Sequence, residues 1–493
     1  MLFRTIRKNL ILIIFLIASS FIAIPIIHLI KAKISEPNQD FKVNQNYRDD
    51  ASKLNLTKVH TIVAVEQEHT AIQKQLRQLL KYANRHNFKV SISGAQHSMG
   101  GHTIYPDGIS IDMLPYDHMS FDENTNILTI GSGASWSKAL QYLDGFGKSI
   151  GVMQSFSNFS VGGSLSVNGH GWQAGAPPIS SQVIGFTLMN ADGQIIYCSR
   201  DENAELFKLV TGGYGLFGII LDIKLKVVNN TALRFHSVAL NPQDYTKRYQ
   251  ELISDDSNVE FAYGRLRISD KHFLDQATLN YFEKVQETPL KLKQQVSKNA
   301  EVRRIVFRGS VDSEYGKRLR WDLEQTLNVL SPHMTFSRNE ILNEDASLIE
   351  NKDLNSTDLL HEYFIPKKNL AKFIQDVKPI LRNSDVDLLN ITIREILKDE
   401  DAFLNYARED VFGLVFLFNQ KKTTQQELAM KTLTLELLEV ALKYNGTYYL
   451  PYRLHVDRFK MRSAYPQADH FFKMKKKYDH RLIFNNNFYL NYH

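Results

Sequence analysis

From Leu10 to Ile30 the chain is apolar almost without interruption. A helix of that length, at about 1.5 Å per residue, crosses the roughly 30 Å hydrocarbon core of a bilayer. Arg4, Arg7 and Lys8 stand before the run, and Lys31 and Lys33 behind it. Ala18-Ser19-Ser20 has the small residues of a signal-peptide exit, yet the run continues to Ile30, so it reads as a retained single-pass membrane anchor. The leading cations put the N-terminus in the cytoplasm and the rest of the chain on the extracytoplasmic side, an asymmetry that the two following lysines weaken. Residues 34–57 are polar and aperiodic and read as a tether.

Periodic patterning starts with Thr61-Ile62-Val63-Ala64-Val65, which predicts a strand. Thr70-Ala71-Ile72-Gln73 fits a capping box, opening a helix whose apolar face is Ile72, Leu76, Leu79, Leu80 and Ala83. A second strand, Lys89-Val90-Ser91-Ile92, runs into the loop Ser93-Gly94-Ala95-Gln96-His97-Ser98-Met99-Gly100-Gly101. Strand, helix, strand and glycine-rich loop is a beginning of α/β type. Two β-like runs, Ile109–Asp112 and Ile127–Ile130, precede a helix from Ser135 to Leu143 and a second glycine-rich loop between Ser160 and Gly171. Runs from Val183 to Asn190 and from Ile195 to Ser199 flank Ala191-Asp192-Gly193, a hairpin signal. A β-branched strand entered through Tyr214-Gly215-Leu216-Phe217-Gly218 closes this region.

From 231 to 445 glycine becomes sparse, and strands alternate with amphipathic helices such as Leu370–Leu381 and Gln425–Tyr444. This is the pattern of a second, α+β domain. The segment from Tyr448 to His493 keeps its aromatic residues to the end and is expected to pack.

A length of 493 residues implies two or three folding units. The net charge of +6 is small and spread along the chain, which argues against nucleic acid as a partner. The densest basic run, Lys473 to Lys477, reads as a solvated helix face. A single cysteine, Cys198, excludes an internal disulfide and a thiolate metal cluster.

The chemistry lies in the two glycine-rich loops, since glycines let backbone N–H groups approach an anionic pyrophosphate without side-chain collision. Neither loop is a P-loop or a dinucleotide fingerprint: there is no Gly-Lys-Ser/Thr, and no Gly-x-Gly-x-x-Gly opens a helix. Each follows a β-like run and each carries a histidine. Taken in order, Ser93-Gly94-Ala95-Gln96-His97-Ser98, Ser160-Val161-Gly162-Gly163-Ser164 with Gly169-His170-Gly171, Asn203-Ala204-Glu205-Leu206-Phe207, Gly212-Gly213-Tyr214-Gly215 and Phe217-Gly218-Ile219-Ile220 resemble the cofactor-binding half of the vanillyl-alcohol oxidase superfamily, flavoproteins with a PCMH-type FAD domain. The resemblance implies FAD held by these residues. His97 stands at the position that many members bond to the 8α carbon of the flavin, and His170 stands beside the flavin in a packing or hydrogen-bonding role.

The second domain resembles the cap of the aldonolactone and alditol oxidase branch, in which D-arabinono-1,4-lactone oxidase falls. Glu362-Tyr363-Phe364-Ile365-Pro366 matches the start of a cap strand and helix, and Ile391-Thr392-Ile393-Arg394 matches a substrate-side strand. Arg394 matches the arginine of that branch's Glu-x-Arg pair, whereas Thr392 stands where the glutamate belongs. The C-terminal Tyr449-Leu450-Pro451-Tyr452-Arg453-Leu454-His455 is similar to the segment that returns to the flavin, also in the decaprenylphosphoryl-ribose oxidase family, and makes His455 the candidate base.

The expected fold is α+β: a membrane helix within 1–33, a linker 34–57, a two-subdomain PCMH-type FAD-binding domain 58–230, a cap 231–445 and a returning segment 446–493. The implied activity is FAD-dependent oxidation of a CH–OH group in a sugar-like substrate, with oxygen or a quinone as acceptor. A lipid-linked sugar as substrate and a non-catalytic, membrane-tethered scaffold remain the alternatives. The expected substrate pair is Arg394 and His455, on opposite walls of one cleft.

Overall fold

The computed structural model describes residues 23–34, 45–254, 258–288, 300–330 and 334–493. Most of the proposed anchor run lies outside them. Among the described residues no helix is long and apolar enough to cross a membrane.

The opening β-α-β pattern builds a three-stranded parallel sheet in which Ile109–Asp112 lies between Thr61–Ala64 and Val90–Ser93. The helix His69–Arg85 buries Ile72, Leu76, Leu80 and Ala83 against it. The expected capping box at Thr70 is overturned. The N-cap is Glu68, whose carboxylate accepts the Ala71 N–H at 2.7 Å, a placement that also sets its charge against the positive helix end.

A second, antiparallel sheet follows in the order Ile195–Ser199, Val183–Met189, Ile219–Asn229, Ile127–Gly131 and Met119–Asp122, with Lys148–Ile150 paired to the far end of Ile219–Asn229. The predicted hairpin closes at Gly193, whose φ of +78° suits glycine. Ile219–Asn229 is the wall between the two cores. Ile219 and Leu221 enter the core beneath the parallel sheet, whereas Ile220, Ile223 and Leu225 enter the larger one, after a register shift between Ile220 and Ile223.

The cap is an eight-stranded sheet in the order Thr335–Ser337, Ala232–Leu240, Ala277–Lys284, Val259–Leu266, Asp387–Ile396, Val411–Lys421, Ser356–Pro366 and Thr447–Tyr448. Side chains in register share a face, and the two faces differ. On one, Tyr363 donates to the Thr434 carbonyl at 3.3 Å and packs on Phe373, beneath the helices Leu370–Asn383 and Thr424–Lys443. On the other, Glu362 and Thr392 both pair with Val415, and Arg265, opposite Thr392, reaches Glu324 of the helix Glu314–Leu330 at 3.2 Å.

The C-terminal segment returns to the first half, as its aromatic content implies. Val90 N–H donates to the Ile483 carbonyl at 2.8 Å and Asn485 N–H to the Val90 carbonyl at 2.9 Å, extending the parallel sheet. The basic run does not form a uniformly solvated face. Lys475 is fully buried, paired with Asp479 and donating to the Leu216 carbonyl at 2.6 Å, because the helix Ala468–Tyr478 turns that position toward the first half of the chain.

The stretch read as a tether is packed from Tyr47 onward. Tyr47–Arg48 pairs with Thr57–Lys58, and Asp50 and Ser52 are buried. The Ser52 carbonyl accepts from Thr357 at 2.6 Å, and Lys53 donates to the Asn351 carbonyl at 2.8 Å. Polar, aperiodic sequence here serves a clamp held by hydrogen bonds to strand ends and loops of both halves.

Candidate functional site

The first glycine-rich loop leaves Val90–Ser93 and turns through Gln96 at φ +55°. The N–H groups of Gln96, His97 and Ser98 donate to no group among the described residues, and Ser98 Oγ is buried without a partner. Successive unspent amides of this kind form an anion-binding concavity. The loop's outer side is fixed by the clamp. Ala51 N–H donates to the Gln96 and Ser98 carbonyls at 3.1 and 3.2 Å, and the buried Asp50 carboxylate accepts from Gly101 N–H at 2.7 Å.

Ser93 itself turns inward, its hydroxyl donating to the Ile111 carbonyl at 2.9 Å. Ala95 N–H donates to Ser160 Oγ at 3.2 Å, which ties the first loop to the second. A Cβ on Gly94 would stand 2.0 Å from that same Oγ.

The second stretch is not a loop throughout, since Val161–Ser166 is a short helix with Ser160 as N-cap. The Val161 and Gly162 N–H groups donate to the Ala134 and Ser132 carbonyls at 2.8 and 2.9 Å, so a third loop, Gly131-Ser132-Gly133-Ala134, joins the site. Sequence reasoning missed it. Its signal is the Gly131-Ser132-Gly133 sequence where the Ile127–Gly131 strand ends. A Cβ on Gly162 would lie 2.6 Å from Ser132 Cβ and 2.9 Å from the Ser132 carbonyl oxygen. Ser132 Oγ and Asn158 Oδ1 are buried and have no partner among the described residues.

Three close-packed loops, spare backbone donors and orphaned polar atoms fit a long, polar, anionic cofactor such as FAD. Gly163 and Gly169 belong to this frame. The side chains of Val161 and Ser164 do not face it: Val161 is core, and Ser164 accepts from Trp136 Nε1 at 2.8 Å. Ile219 and Ile220 are likewise buried in the two cores, so from Gly218 to Ile220 only backbone remains to meet a cofactor.

His97 lies flat against Phe159, with ring centroids 3.9 Å apart and an interplanar angle of 9°. Burial pushes its imidazole down to about 4, against a smaller opposing effect from a hydrogen bond to the Asn158 backbone. The ring is therefore neutral at physiological pH, the form that can act as a nucleophile.

His170 faces the cap. Its Nε2 lies 2.7 Å from Glu362 Oε1, and its ring is surrounded by Phe364, Tyr406 and Tyr449. Tyr449 and Tyr406 donate to the Val167 and Asn168 carbonyls at 3.0 and 2.8 Å, closing the cap over the end of the second loop. Tyr452 donates to Glu362 Oε2 at 3.3 Å, and burial with Glu362 nearby pushes its hydroxyl well above the ordinary value, so it remains a donor. Arg394 stands on the same sheet face, in register with Gly413, itself opposite Phe364. Burial lowers its guanidinium from the ordinary value and the Glu362 carboxylate opposes that; its Nε has no partner among the described residues.

Glu362 was read from sequence only as the start of a strand. It places a carboxylate beside Arg394 on this face, where Thr392 supplies none.

His455 is a correction. Its Nδ1 is 3.0 Å from Thr434 Oγ1 and its Nε2 2.9 Å from Glu427, and His361 is its neighbour. Thr434 and Glu427 belong to the helix Thr424–Lys443, on the sheet face opposite Glu362 and Arg394. The two predicted partners do not face one cleft, because the returning segment sends Tyr452 forward and His455 back.

Residues 52–199 match the FAD binding domain family. The chain is 28% identical to cytokinin dehydrogenase 2 of Arabidopsis thaliana over 40% of its own length and 40% of that protein's. It is 25% identical to mitochondrial L-galactono-1,4-lactone dehydrogenase of the same plant over 38% of the chain and 31% of the relative. Cytokinin dehydrogenase 3 aligns at 23% identity over 82% of the chain and 81% of the relative. The first two matches thus span well under half of the relatives' lengths. FAD is the cofactor that this domain takes.

Proposed function

We propose that this chain, a member of the vanillyl-alcohol oxidase superfamily through its PCMH-type FAD-binding domain, is an oxidoreductase that removes hydride from a CH–OH carbon of a sugar-like small molecule, an aldonolactone or alditol. FAD supplies the electron sink. The observation that carries the reading is the polar group Glu362, Arg394 and Tyr452 on the cap face that meets His170 of the second cofactor loop. A guanidinium whose Nε has no partner among the described residues, and a protonated phenol, suit an oxygen-rich substrate. Arg394 binds and orients the reacting hydroxyl, whose proton passes to the Glu362 carboxylate as the hydride leaves for the flavin, and Tyr452, held by Glu362, donates to a neighbouring oxygen. His97 carries the covalent bond to the flavin. Oxygen or a quinone accepts the electrons from the reduced flavin, and the N-terminal run anchors the enzyme with its catalytic domain outside the cytoplasm.

A second reading, a cytokinin-type substrate, is favoured by the length over which cytokinin dehydrogenase 3 aligns. Anaerobic bleaching of the flavin by a panel of aldonolactones, alditols, lipid-linked sugars and cytokinins separates them. Bleaching by a lactone or alditol is expected, bleaching by cytokinins alone favours the second reading, and bleaching by none of the panel removes both.

A further inference from the structure

The helix 23–34 rests on the cap. Its Pro25, His28, Leu29 and Ala32, spaced as one helical stripe, are partly buried. His28 Nε2 is 2.8 Å from the Gly309 carbonyl, its ring meets Tyr315 edge-on, and Lys33 pairs with Glu301 at 2.7 Å. A Cβ on Gly316 would lie 2.9 Å from His28 Nε2, so glycine at this position lets the helices approach. The opposite stripe stays outside: Ile24, Ile26, Ile27, Ile30 and Ile34 are each at least half exposed.

At 100° per residue, Gly316, Leu323 and Leu327 fall within about 20° of one line along Glu314–Leu330. Leu323 and Leu327 are exposed. They extend the strip that Gly316 presents to the N-terminal helix. Lys31 is exposed at the edge of the isoleucine stripe, as a cation stands beside the apolar face of an interfacial helix.

We propose that this surface, the outer isoleucine stripe of helix 23–34 together with Leu323 and Leu327, docks on the lipid of a bilayer with anionic headgroups. The inference rests on the anchor reading and goes beyond it. Residues 10–22 as a helix would be only about 20 Å long, short of the roughly 30 Å core. A span therefore needs residues 23–30, and these are clamped to Gly309 and Gly316, which draws the cap helices down to the membrane.

The full chain allows a direct test, because its single cysteine, Cys198, is buried with its thiol pushed up to about 12 and does not compete for label. Ile27→Cys, Leu327→Cys and, as reference, Lys247→Cys, whose side chain is 78% exposed, are labelled with an environment-sensitive dye. Each is mixed with phosphatidylcholine vesicles containing phosphatidylglycerol, and flavin absorbance serves as folding control. Dyes at positions 27 and 327 should shift to the blue and be quenched by acyl-chain nitroxides, within the roughly 5–10 Å depth of interfacial helices, while the dye at 247 keeps its emission in water. Flotation with the vesicles combined with a water-like dye at 327 overturns the docking and leaves the anchor standing. Failure to float overturns both. A blue shift at 327 without vesicles that rises with protein concentration assigns the surface to a second copy and overturns the lipid proposal.

Discussion

The cofactor side and the substrate side of this molecule are built from different material. Around the FAD site the contacts are backbone and small residues: Ala95 on Ser160, Gly162 on Ser132, and a run of unspent amides from Gln96 to Ser98. On the cap the groups proposed to act are long charged or phenolic side chains, Glu362 and Arg394 placed by the register of the strands and Tyr452 by the returning segment. A backbone cradle tolerates almost no added atom, whereas a side-chain cluster can lose a member and keep its frame. The two sides should therefore fail in different ways.

The largest effect is expected at the cradle. Gly162→Ala puts a methyl group 2.6 Å from Ser132 Cβ, and the second and third loops must separate to admit it. Purified Gly162→Ala should carry about tenfold less flavin per chain or lower still, a loss of at least 1.4 kcal/mol of cofactor binding, with secondary structure by circular dichroism intact. Full flavin content would show that the loops need not touch.

Next comes Arg394. Its removal leaves the cradle alone, so Arg394→Ala should keep its flavin while turnover falls by about 10–100-fold, equivalent to roughly 1.5–3 kcal/mol for a charged hydrogen bond. Parallel loss of flavin and turnover would make Arg394 a structural residue and erase the distinction between the two sides.

His97 tests the chemistry of the cradle without changing its shape. Its folded pKa, about 4, lies below the ordinary 6.5, so the ring is neutral at every pH above that value and loses nucleophilicity only as pH falls through it. Formation of acid-stable yellow protein from apoprotein and FAD should be flat from roughly pH 5 to 8, and His97→Ala should release its FAD on acid precipitation. A yield that halves near pH 6.5 would mean an imidazole open to water. Free FAD from the unmutated protein would dispose of the covalent bond.

The contrast between the sides also explains what could be read from sequence. The β-α-β opening, the hairpin at Gly193, the helix Trp136–Asp144 after Ser135 and the two glycine-rich loops are local, and their patterns lie within short stretches. The third loop was missed because its two glycines sit at a strand end, where they look like punctuation. Glu362 could not be paired with His170 or Arg394 from sequence, since only the alignment of three strands and the cap's closure bring them together. Lys475 and Asp50 were misread for a related reason: a buried charge is indistinguishable from a solvated one until its partner, Asp479 or the Gly101 amide, is in place.

The smallest effect on turnover is expected at His455, and it sets the boundary of the substrate side. The ring lies behind the sheet, held by Thr434 at 3.0 Å and Glu427 at 2.9 Å, while Tyr452, three residues earlier, points forward to Glu362. His455→Ala removes a buried ring and leaves the Glu427 carboxylate with Arg453 and Gln420, so the cost falls on folding, about 1–3 kcal/mol for broken buried hydrogen bonds. Turnover should stay within about twofold of the unmutated enzyme once measured below the lowered unfolding midpoint, because a 0.4 kcal/mol change in barrier is all that such a factor represents. Chemical denaturation and steady-state rates on the same preparations read the two quantities separately. If instead the rate falls more than tenfold while the unfolding midpoint holds, His455 reaches the reacting atoms by a movement of the returning segment, and the sheet no longer divides a catalytic face from a supporting one.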